Sequence, residues 1–210
     1  MPNILVVDDH PLVRQGVVRV LLDEYPKGVM TEASNAPQTM EAVWNQPLDL
    51  VILDLSLPGR GGLELLKEIK TARPGLPVLI FSGHPEDQFA IRVLKAGAAG
   101  YLAKDSPPAL VIQAVRLTIA GKKFISAATA EHLATDLTVD SDKLPHELLS
   151  DREYDILLRI ASGQTVGEIA ATLNLSVKTV STYRTRILQK MGKQNNSELI
   201  QYAIRAKLVE

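Results

Sequence analysis

The side chains best able to do chemistry in this sequence follow short apolar runs. Asp8 and Asp9 come directly after ILVV, and Asp54 ends VILD. Ser82 closes VLIFS, and Lys104 follows GYLA. Two adjacent carboxylates at the end of a buried strand repel each other unless a cation lies nearby. The pattern therefore predicts a site in which acids, a hydroxyl and an ammonium group gather around a cation.

Phosphoryl transfer is the chemistry that fits these residue types. Clustered carboxylates with few nitrogen donors suit Mg²⁺, which keeps several waters and leaves positions for phosphate oxygens. Asp54 is a candidate nucleophile, because a carboxylate can attack phosphorus and form an aspartyl phosphate. Lys104 would neutralise phosphoryl oxygens in the transition state, and Ser82 would donate a hydrogen bond to the bound group.

The elements that must position these residues alternate between two kinds. Apolar runs start at Ile4, Val29, Asp49, Pro77 and Gly100. Amphipathic stretches lie between or after them, at Leu12 to Leu22, Thr39 to Asn45, Leu63 to Ala72, Gln88 to Ala96 and Pro108 to Ala120. This rhythm predicts an α/β domain with a doubly wound parallel sheet. Ligands of such sheets bind outside the carboxyl ends of the strands, where the polar residues above would converge.

The pattern changes after Gly121. Phe124 to Leu137 is predicted to form one more helix, and the polar stretch TVDSDKLPHELLSDRE is predicted to be a linker. From Leu149 the chain is expected to be entirely helical, in a small second domain. Its four predicted helices are Asp151 to Ser162, Val166 to Leu173, Val177 to Met191 and Ser197 to Ala206.

The third of these helices has the features of a DNA-reading helix. Val180, Ile187 and Met191 mark its inward face. From Val177 to Lys193 there are five basic residues and no acid. A basic, hydroxyl-rich outer face suits the major groove of double-stranded DNA. The residues predicted to contact DNA are Lys178, Thr179, Thr182, Tyr183, Thr185, Arg186 and Lys190.

The amino-acid composition limits the classes of protein and of site that are possible. The 210 residues are 46% hydrophobic and 22% charged, which is ordinary for a soluble globular protein. With no cysteine, disulfides, thiolate zinc sites and cysteine nucleophiles are excluded. The net charge of -1 hides the local basic patch. No apolar run approaches the roughly 18 residues needed to span a bilayer, so we expect a cytoplasmic protein without a membrane partner.

The residues Asp8, Asp9, Asp54, Ser82 and Lys104, taken together and in this order, give the sequence a pattern that resembles the receiver domain of two-component response regulators. The resemblance covers residues 1–122 and implies a flavodoxin-like (βα)5 fold. It also implies that Asp54 is the phosphoacceptor for a sensor histidine kinase, and that Asp9 binds Mg²⁺ directly with Asp8 in support. The carbonyl of Ser56 is implied as a further ligand. Ser82 and Tyr101 match the family's switch pair, and the residue after Lys104 is Asp105 rather than proline, so a trans peptide is expected there.

Residues 147–210 resemble the LuxR-type helix-turn-helix domain of the NarL/FixJ class, with residues 123–146 as a partly helical linker. The residues that match include Glu168, Ile169 and Ala170, followed by Leu173, Ser176, Thr179 and Val180. The resemblance implies a transcription regulator that binds DNA under the control of phosphorylation. Helix-turn-helix proteins usually meet two half-sites, so a homodimer is expected in the active state.

Other interpretations stay open at this stage. Asp8 or Asp9 could simply cap the next helix, His10 is more simply a loop residue than a ligand, and Trp44 a packing residue. One rival function is a phosphatase or phosphotransferase, although Ser56 stands where haloacid dehalogenase phosphatases have a second Asp. The other is a regulator that binds DNA without being phosphorylated. Glu153 and Glu168 are expected to pair with nearby basic groups of the chain itself.

Overall fold

The computed structural model describes residues 1–57, 61–84, 86–126, 129–130, 144–206 and 208–209. The chain divides into two compact units, Met1–Thr138 and Val139–Glu210. The first alternates strands with helices, whereas the described part of the second is helical.

One parallel sheet organises the first unit. Its strands are β1 (Asn3–Val7), β2 (Val29–Ala33), β3 (Leu50–Leu53), β4 (Val78–Ser82) and β5 (Gly100–Ala103). The helices that alternate with them are α1 (Pro11–Glu24), α2 (Ala36–Asn45), α3 (Gly62–Ala72), α4 (Glu86–Lys95) and α5 (Pro108–Ile119). The strands lie in the order β2-β1-β3-β4-β5. This confirms the predicted flavodoxin-like fold, and the strand order reverses beside β1, which opens a crevice at the carboxyl ends of β1 and β3.

One hydrophobic cluster of this unit lies between the sheet and helices α1 and α5. Alternate residues of β1, Ile4 and Val6, point into it together with their neighbours from β3 and β4. Val17 and Leu21 of α1 and Val111, Ala114 and Val115 of α5 cover them. The strands β1, β3 and β4 are buried on both faces, which explains why their sequences are continuous apolar runs rather than alternating ones.

Two expectations about this unit were wrong. Trp44 is 65% exposed on α2, because Met40 and Val43 already fill the inward face of that short helix. The predicted helix from Phe124 does not begin there, because Phe124 forms a parallel bridge with Gly100 and packs against the core. Most of the remaining span to Leu137 lies outside the described residues.

The described part of the second unit contains the four predicted α-helices and, before them, a short 3-10 helix that was not predicted. The 3-10 helix is Pro145–Leu148, and the others are α6 (Asp151–Ala161), α7 (Val166–Thr172), α8 (Val177–Met191) and α9 (Asn196–Arg205). The predicted breaks carry positive φ angles, at Gly163 (85°), Asn174 (52°) and Gly192 (63°). Such angles end helices cheaply only for glycine and, to a lesser degree, asparagine.

Side-chain caps fix where these helices start. Ser150 and Glu153 form a capping box at α6, and Thr165 and Glu168 form another at α7. Ser176 accepts a hydrogen bond from the Thr179 amide at the start of α8. Among the described residues, no helix is both long and apolar enough to cross a bilayer.

Candidate functional site

The register of the sheet brings the three predicted acids together. Val7 of β1 pairs with Leu53 of β3, so the residues that follow them, Asp8 and Asp54, emerge side by side. The Asp54 amide donates to the Val7 carbonyl at 2.9 Å, which continues the ladder by one step. Asp8 and Asp54 are almost completely buried, and the Asp9 side chain is 20% exposed.

Lys104 follows β5, the strand at the edge of the sheet, and its side chain reaches this group. Its Nζ lies 2.7 Å from Asp8 Oδ2 and 2.8 Å from Asp54 Oδ2. Its own amide donates to the Ser82 carbonyl at 2.9 Å, so Lys104 and Ser82 leave the sheet at the same level. The Lys104–Asp105 peptide is trans, as expected. The structure therefore places all five predicted residues at one edge of the sheet.

The acidic cluster has the donor atoms that a hard divalent cation requires. Ligand atoms of Asp8, Asp9, His10 and Asp54 all lie within 4.8 Å of one another. Asp54 Oδ1 is buried and accepts no hydrogen bond of standard geometry from a described residue. Asp8 Oδ2 lies 2.7 Å from Lys104 Nζ, and Asp9 Oδ1 lies 2.7 Å from His10 Nδ1. Neither oxygen accepts an aligned hydrogen bond from a described residue. Unsatisfied carboxylate oxygens with excess negative charge fit Mg²⁺.

The electrostatics of the pair at the centre follow from burial and charge. Burial raises the pKa of Asp54 above its usual value, and the opposing effect of Lys104 does not fully cancel it. Burial alone would lower the pKa of Lys104, but the Asp54 and Asp8 carboxylates outweigh it, and that pKa is raised. The ammonium group therefore stays charged and holds Asp54 Oδ2, while Oδ1 accepts no aligned hydrogen bond from the described residues.

His84 connects the remaining predicted residues. The Ser82 hydroxyl accepts a hydrogen bond from the His84 amide at 3.2 Å. The Tyr101 hydroxyl donates to the His84 carbonyl at 2.6 Å, and the Tyr101 side chain is buried. Ser56 Oγ lies 3.2 Å from His84 Nε2, and the His84 ring stacks on Phe89. The contacts of His84 with Tyr101 and Ser56 join residues 17 and 28 positions apart, so no local pattern could have revealed those two.

Neither Asp8 nor Asp9 is the cap of α1. His10 occupies the N-cap position and makes no side-chain cap bond, while Asp8 Oδ1 accepts from the His10 amide at 2.8 Å. Pro11 begins the helix, where its missing N–H leaves no unpaired donor. The acids are therefore available to the site rather than used in capping.

In the second unit, α8 presents the outer face that its sequence predicts. Val180, Ile187 and Met191 are buried. The residues predicted to contact DNA divide by exposure, with Lys178, Thr182, Thr185, Arg186 and Lys190 exposed and Thr179 and Tyr183 partly exposed. The guanidinium of Arg186 lies 5.9 Å from the centre of the Tyr183 ring, which is a cation–π distance.

Two basic residues of α8 are engaged within the domain. Lys190 Nζ lies 2.6 Å from Oε2 of Glu153, whose side chain is 3% exposed. Arg184 Nε donates to Asn196 Oδ1 at 2.5 Å. The expectation that Glu153 pairs with a basic group of the chain is confirmed. Glu168 instead serves its own capping box, through the amide and hydroxyl of Thr165.

Comparisons with known proteins agree with this arrangement. Residues 4–116 match the family described as response regulator receiver domain, and residues 147–203 match bacterial regulatory proteins of the luxR family. Response regulator UvrY of Escherichia coli (strain K12) is 37% identical over 206 residues, which are 98% of this chain and 94% of UvrY. Response regulator GacA of Pseudomonas syringae pv. syringae (strain B728a) is 38% identical over 211 residues, covering 100% and 99%.

Solved structures of RcsB are similar as well. RcsB from Salmonella enterica serovar Typhimurium, bound to promoter rprA with the phosphomimetic BeF3⁻, is 25% identical. It superposes with a TM-score of 0.61 over 96% of this chain and 98% of that one. A structure of two RcsB dimers on two parallel DNAs is 27% identical, with a TM-score of 0.58 over 96% and 97%.

An α/β unit with an acidic edge, followed by a helix-turn-helix unit, defines a signalling regulator that acts on DNA. The chain belongs to the two-component response regulators of the NarL/FixJ class, which join a receiver domain to a LuxR-type DNA-binding domain. Members of this family are transcription regulators rather than enzymes in the usual sense.

Proposed function

We propose that Asp54 is phosphorylated by a sensor histidine kinase in a Mg²⁺-dependent reaction, and that this controls sequence-specific DNA binding and transcription. The observation that carries the proposal is the state of Asp54. Its Oδ1 is buried without a hydrogen-bond partner among the described residues, inside an acidic cluster, while its Oδ2 is held by Lys104. One oxygen is thus positioned and the other is available for attack.

Each residue of the site has its own role in the phosphoryl transfer. Asp54 Oδ1 attacks the phosphorus of phosphohistidine, so that a new P–O bond forms as the P–N bond breaks and the imidazole of the kinase leaves. Lys104 neutralises charge on the phosphoryl oxygens. Ser82 turns its hydroxyl toward the new group, and Tyr101 adjusts with it. Mg²⁺, held by Asp8, Asp9, Asp54 and the Ser56 carbonyl, would offset the charge of the transferring phosphoryl group.

Helix α8 of the second unit binds the DNA. Lys178, Arg186 and Lys190 supply the salt-dependent attraction to phosphates. Thr179, Thr182, Tyr183 and Thr185 reach base edges in the major groove. The RcsB structure with dimers on DNA supports a homodimer as the active form of this chain. Because its proposed partners are a kinase domain and promoter DNA, the protein works in the cytoplasm.

The proposed domain limits follow from the same reasoning. Residues 1–122 form the receiver, residues 123–146 the linker and residues 147–210 the DNA-binding domain. The two family matches, to residues 4–116 and 147–203, fall inside these limits and support them.

Labelling with acetyl phosphate tests the proposal against its rivals. Native protein should retain label only when Mg²⁺ is present, and Asp54→Asn should not be labelled. Asp49→Asn is a matched control, because Asp49 accepts from the Asn3 amide well away from the site. Rapid continuous release of phosphate would instead favour a phosphatase, since we expect autodephosphorylation to be slow. Absence of label would favour a regulator that acts without phosphorylation.

A further inference from the structure

Gly100, the first residue of β5, has a spatial reason to be glycine. An ideal Cβ at this position would lie 2.4 Å from the Phe124 carbonyl oxygen and 2.9 Å from Phe124 Cβ. Its φ is not among the positive values of the described glycines, so the restriction comes from space rather than backbone conformation. The chain that follows α5 therefore passes too close to β5 for any side chain at Gly100.

This passing chain is hydrogen-bonded to the free edge of β5. The Phe124 amide donates to the Ala99 carbonyl at 2.9 Å, and the Tyr101 amide donates to the Phe124 carbonyl at 3.2 Å. Phe124 also packs its side chain against the core. The start of the proposed linker is thus attached at the residue whose side chain belongs to the switch pair.

A second attachment lies on α4. Thr129 is 5% exposed, and its Oγ1 donates to Oε1 of Glu86, the first residue of α4, at 2.8 Å. Ser126 holds Thr129 in place, because its Oγ accepts from the Thr129 amide and donates to the Thr129 hydroxyl, both at 3.1 Å. We name Phe124, Ser126 and Thr129 together the clasp.

Both attachments lie close to a peptide that the switch pair holds. Ser82 Oγ accepts from the amide of His84, and Tyr101 Oη donates to its carbonyl. Glu86 is two residues further along the chain. When Ser82 changes rotamer and carries its oxygen to a phosphoryl group, the hydrogen bond from the His84 amide to Ser82 Oγ is lost, and the change reaches Glu86 two residues further on.

We propose that the clasp ties the beginning of the interdomain chain to α4 and β5, and that phosphorylation of Asp54 loosens it. The second part rests on the proposed function. In the unphosphorylated protein the clasp fixes where the chain leaves the receiver. In the phosphorylated protein the Glu86–Thr129 bond weakens, and Phe124 separates more readily from the edge of β5.

Amide hydrogen exchange of the full-length protein, resolved by ¹⁵N NMR, tests the attachment itself. Without any phosphomimetic, Thr129→Val should raise the exchange rate of the Phe124 amide about fivefold, which is the effect of one lost hydrogen bond. Thr129→Ser keeps the hydroxyl and should exchange like the wild type. Thr71→Val is the matched control, because the Thr71 hydroxyl donates to the Lys67 carbonyl within α3. A wild-type rate in Thr129→Val would overturn the clasp.

Gly100→Ala gives an independent measurement. The added methyl group must displace Phe124, so the Phe124 amide should exchange at least as fast as in Thr129→Val. Gly75→Ala is its control, because a Cβ built there meets no atom within 4 Å among the described residues other than its chain neighbours. Equal Phe124 protection in both alanine variants would contradict the proposed close contact.

The response to phosphorylation is measured with Mg²⁺ and BeF3⁻, and ¹⁹F NMR reports whether BeF3⁻ has bound. Bound BeF3⁻ should accelerate Phe124 exchange in the wild type and leave Asp54→Asn unchanged. Bound BeF3⁻ with unchanged or slower exchange would overturn the loosening step. If no BeF3⁻ binds, the proposed function fails, while the comparison of Thr129→Val with the wild type still decides whether the clasp exists.

Discussion

Lys104 and Asp54 form an asymmetric pair, in which Nζ lies 2.8 Å from one carboxylate oxygen while the other oxygen is buried without a hydrogen bond from the described residues. The asymmetry arises because Nζ also lies 2.7 Å from Asp8 and so sits between two acids. A buried carboxylate that is only half satisfied lowers stability, yet it provides an oxygen positioned for reaction. The same feature thus explains both a cost in folding and a capacity for chemistry.

We expect Asp54→Asn to stabilise the receiver in the absence of divalent cations. Burial raises the pKa of Asp54, so at pH 7 the folded state holds an ionised carboxylate in an environment that disfavours it. Removing that charge should increase the free energy of unfolding by about 1 kcal/mol. Trp44, the single tryptophan, reports on this unit alone in urea denaturation with EDTA. A loss of stability in Asp54→Asn would show that Lys104 already compensates the carboxylate.

Mg²⁺ should make the wild type more stable than Asp54→Asn, because it binds the acidic cluster of the wild type. At free Mg²⁺ ten times its Kd, the wild type should gain roughly 1.4 kcal/mol. Asp9→Asn and Asp54→Asn should gain much less, because each removes an oxygen ligand, whereas Asp49→Asn should respond like the wild type. The Trp44 unfolding midpoint with and without Mg²⁺ measures this. An undiminished response in Asp9→Asn would remove Asp9 from the ligand set.

The two glycines at the start of α3 should differ sharply in their tolerance of a methyl group. A Cβ at Gly62 would lie 2.4 Å from the Asp54 carbonyl oxygen and 2.5 Å from Leu55 Cα, whereas one at Gly61 meets no atom of the described residues within 4 Å beyond its chain neighbours. Gly62→Ala should therefore cost about 2 to 3 kcal/mol and displace the Asp54 backbone, with lower phosphorylation by acetyl phosphate. Gly61→Ala should be close to neutral in both assays. Equal effects of the two substitutions would contradict the close approach.

How much could be predicted from sequence depends on whether a feature is local. The strands and the four helices of the second unit were predictable from the spacing of apolar residues. The acidic edge was predictable because the carboxyl ends of parallel strands meet at one edge of the sheet. The bridge at Phe124 and the contacts of His84 with Tyr101 and Ser56 were not, because they join residues far apart in the chain. The exposure of Trp44 was missed because a large apolar side chain usually indicates burial, and two smaller residues had already filled the inward face of α2.

Neutralising the outer face of α8 should weaken DNA binding and reduce its dependence on salt. Lys178 and Arg186 are both exposed, so each can release about one counterion from a phosphate. Lys178→Ala and Arg186→Ala should each lower the slope of log K against log[salt] by about one. Arg205→Ala, an exposed basic residue at the end of α9, is the control and should leave the slope unchanged. Unchanged slopes in both α8 variants would mean that another face meets DNA.

Lys190 should contribute to folding as well as to any DNA contact, and pH should separate the two. Burial alone would raise the pKa of Glu153, but the hydrogen bonds from Lys190 and Ser150 outweigh it, so that pKa is lowered. A carboxyl group with a lowered pKa stabilises the fold above its unfolded pKa, and that stability is lost as the pH falls through the folded value. Because the Lys190 side chain is 43% exposed, solvent screening reduces the effect.

Lys190→Met should therefore lower the free energy of unfolding by about 1 kcal/mol at pH 7, with the difference disappearing in acid as Glu153 becomes protonated. Lys178→Met is the matched control, since Lys178 lies exposed on the same helix and forms no ion pair with a described residue. Urea denaturation followed through the NMR signals of α8 amides measures both. A Lys190→Met deficit that persists at pH 3, or that Lys178→Met shares, would assign the effect to helix propensity or packing, because neither of those titrates with Glu153.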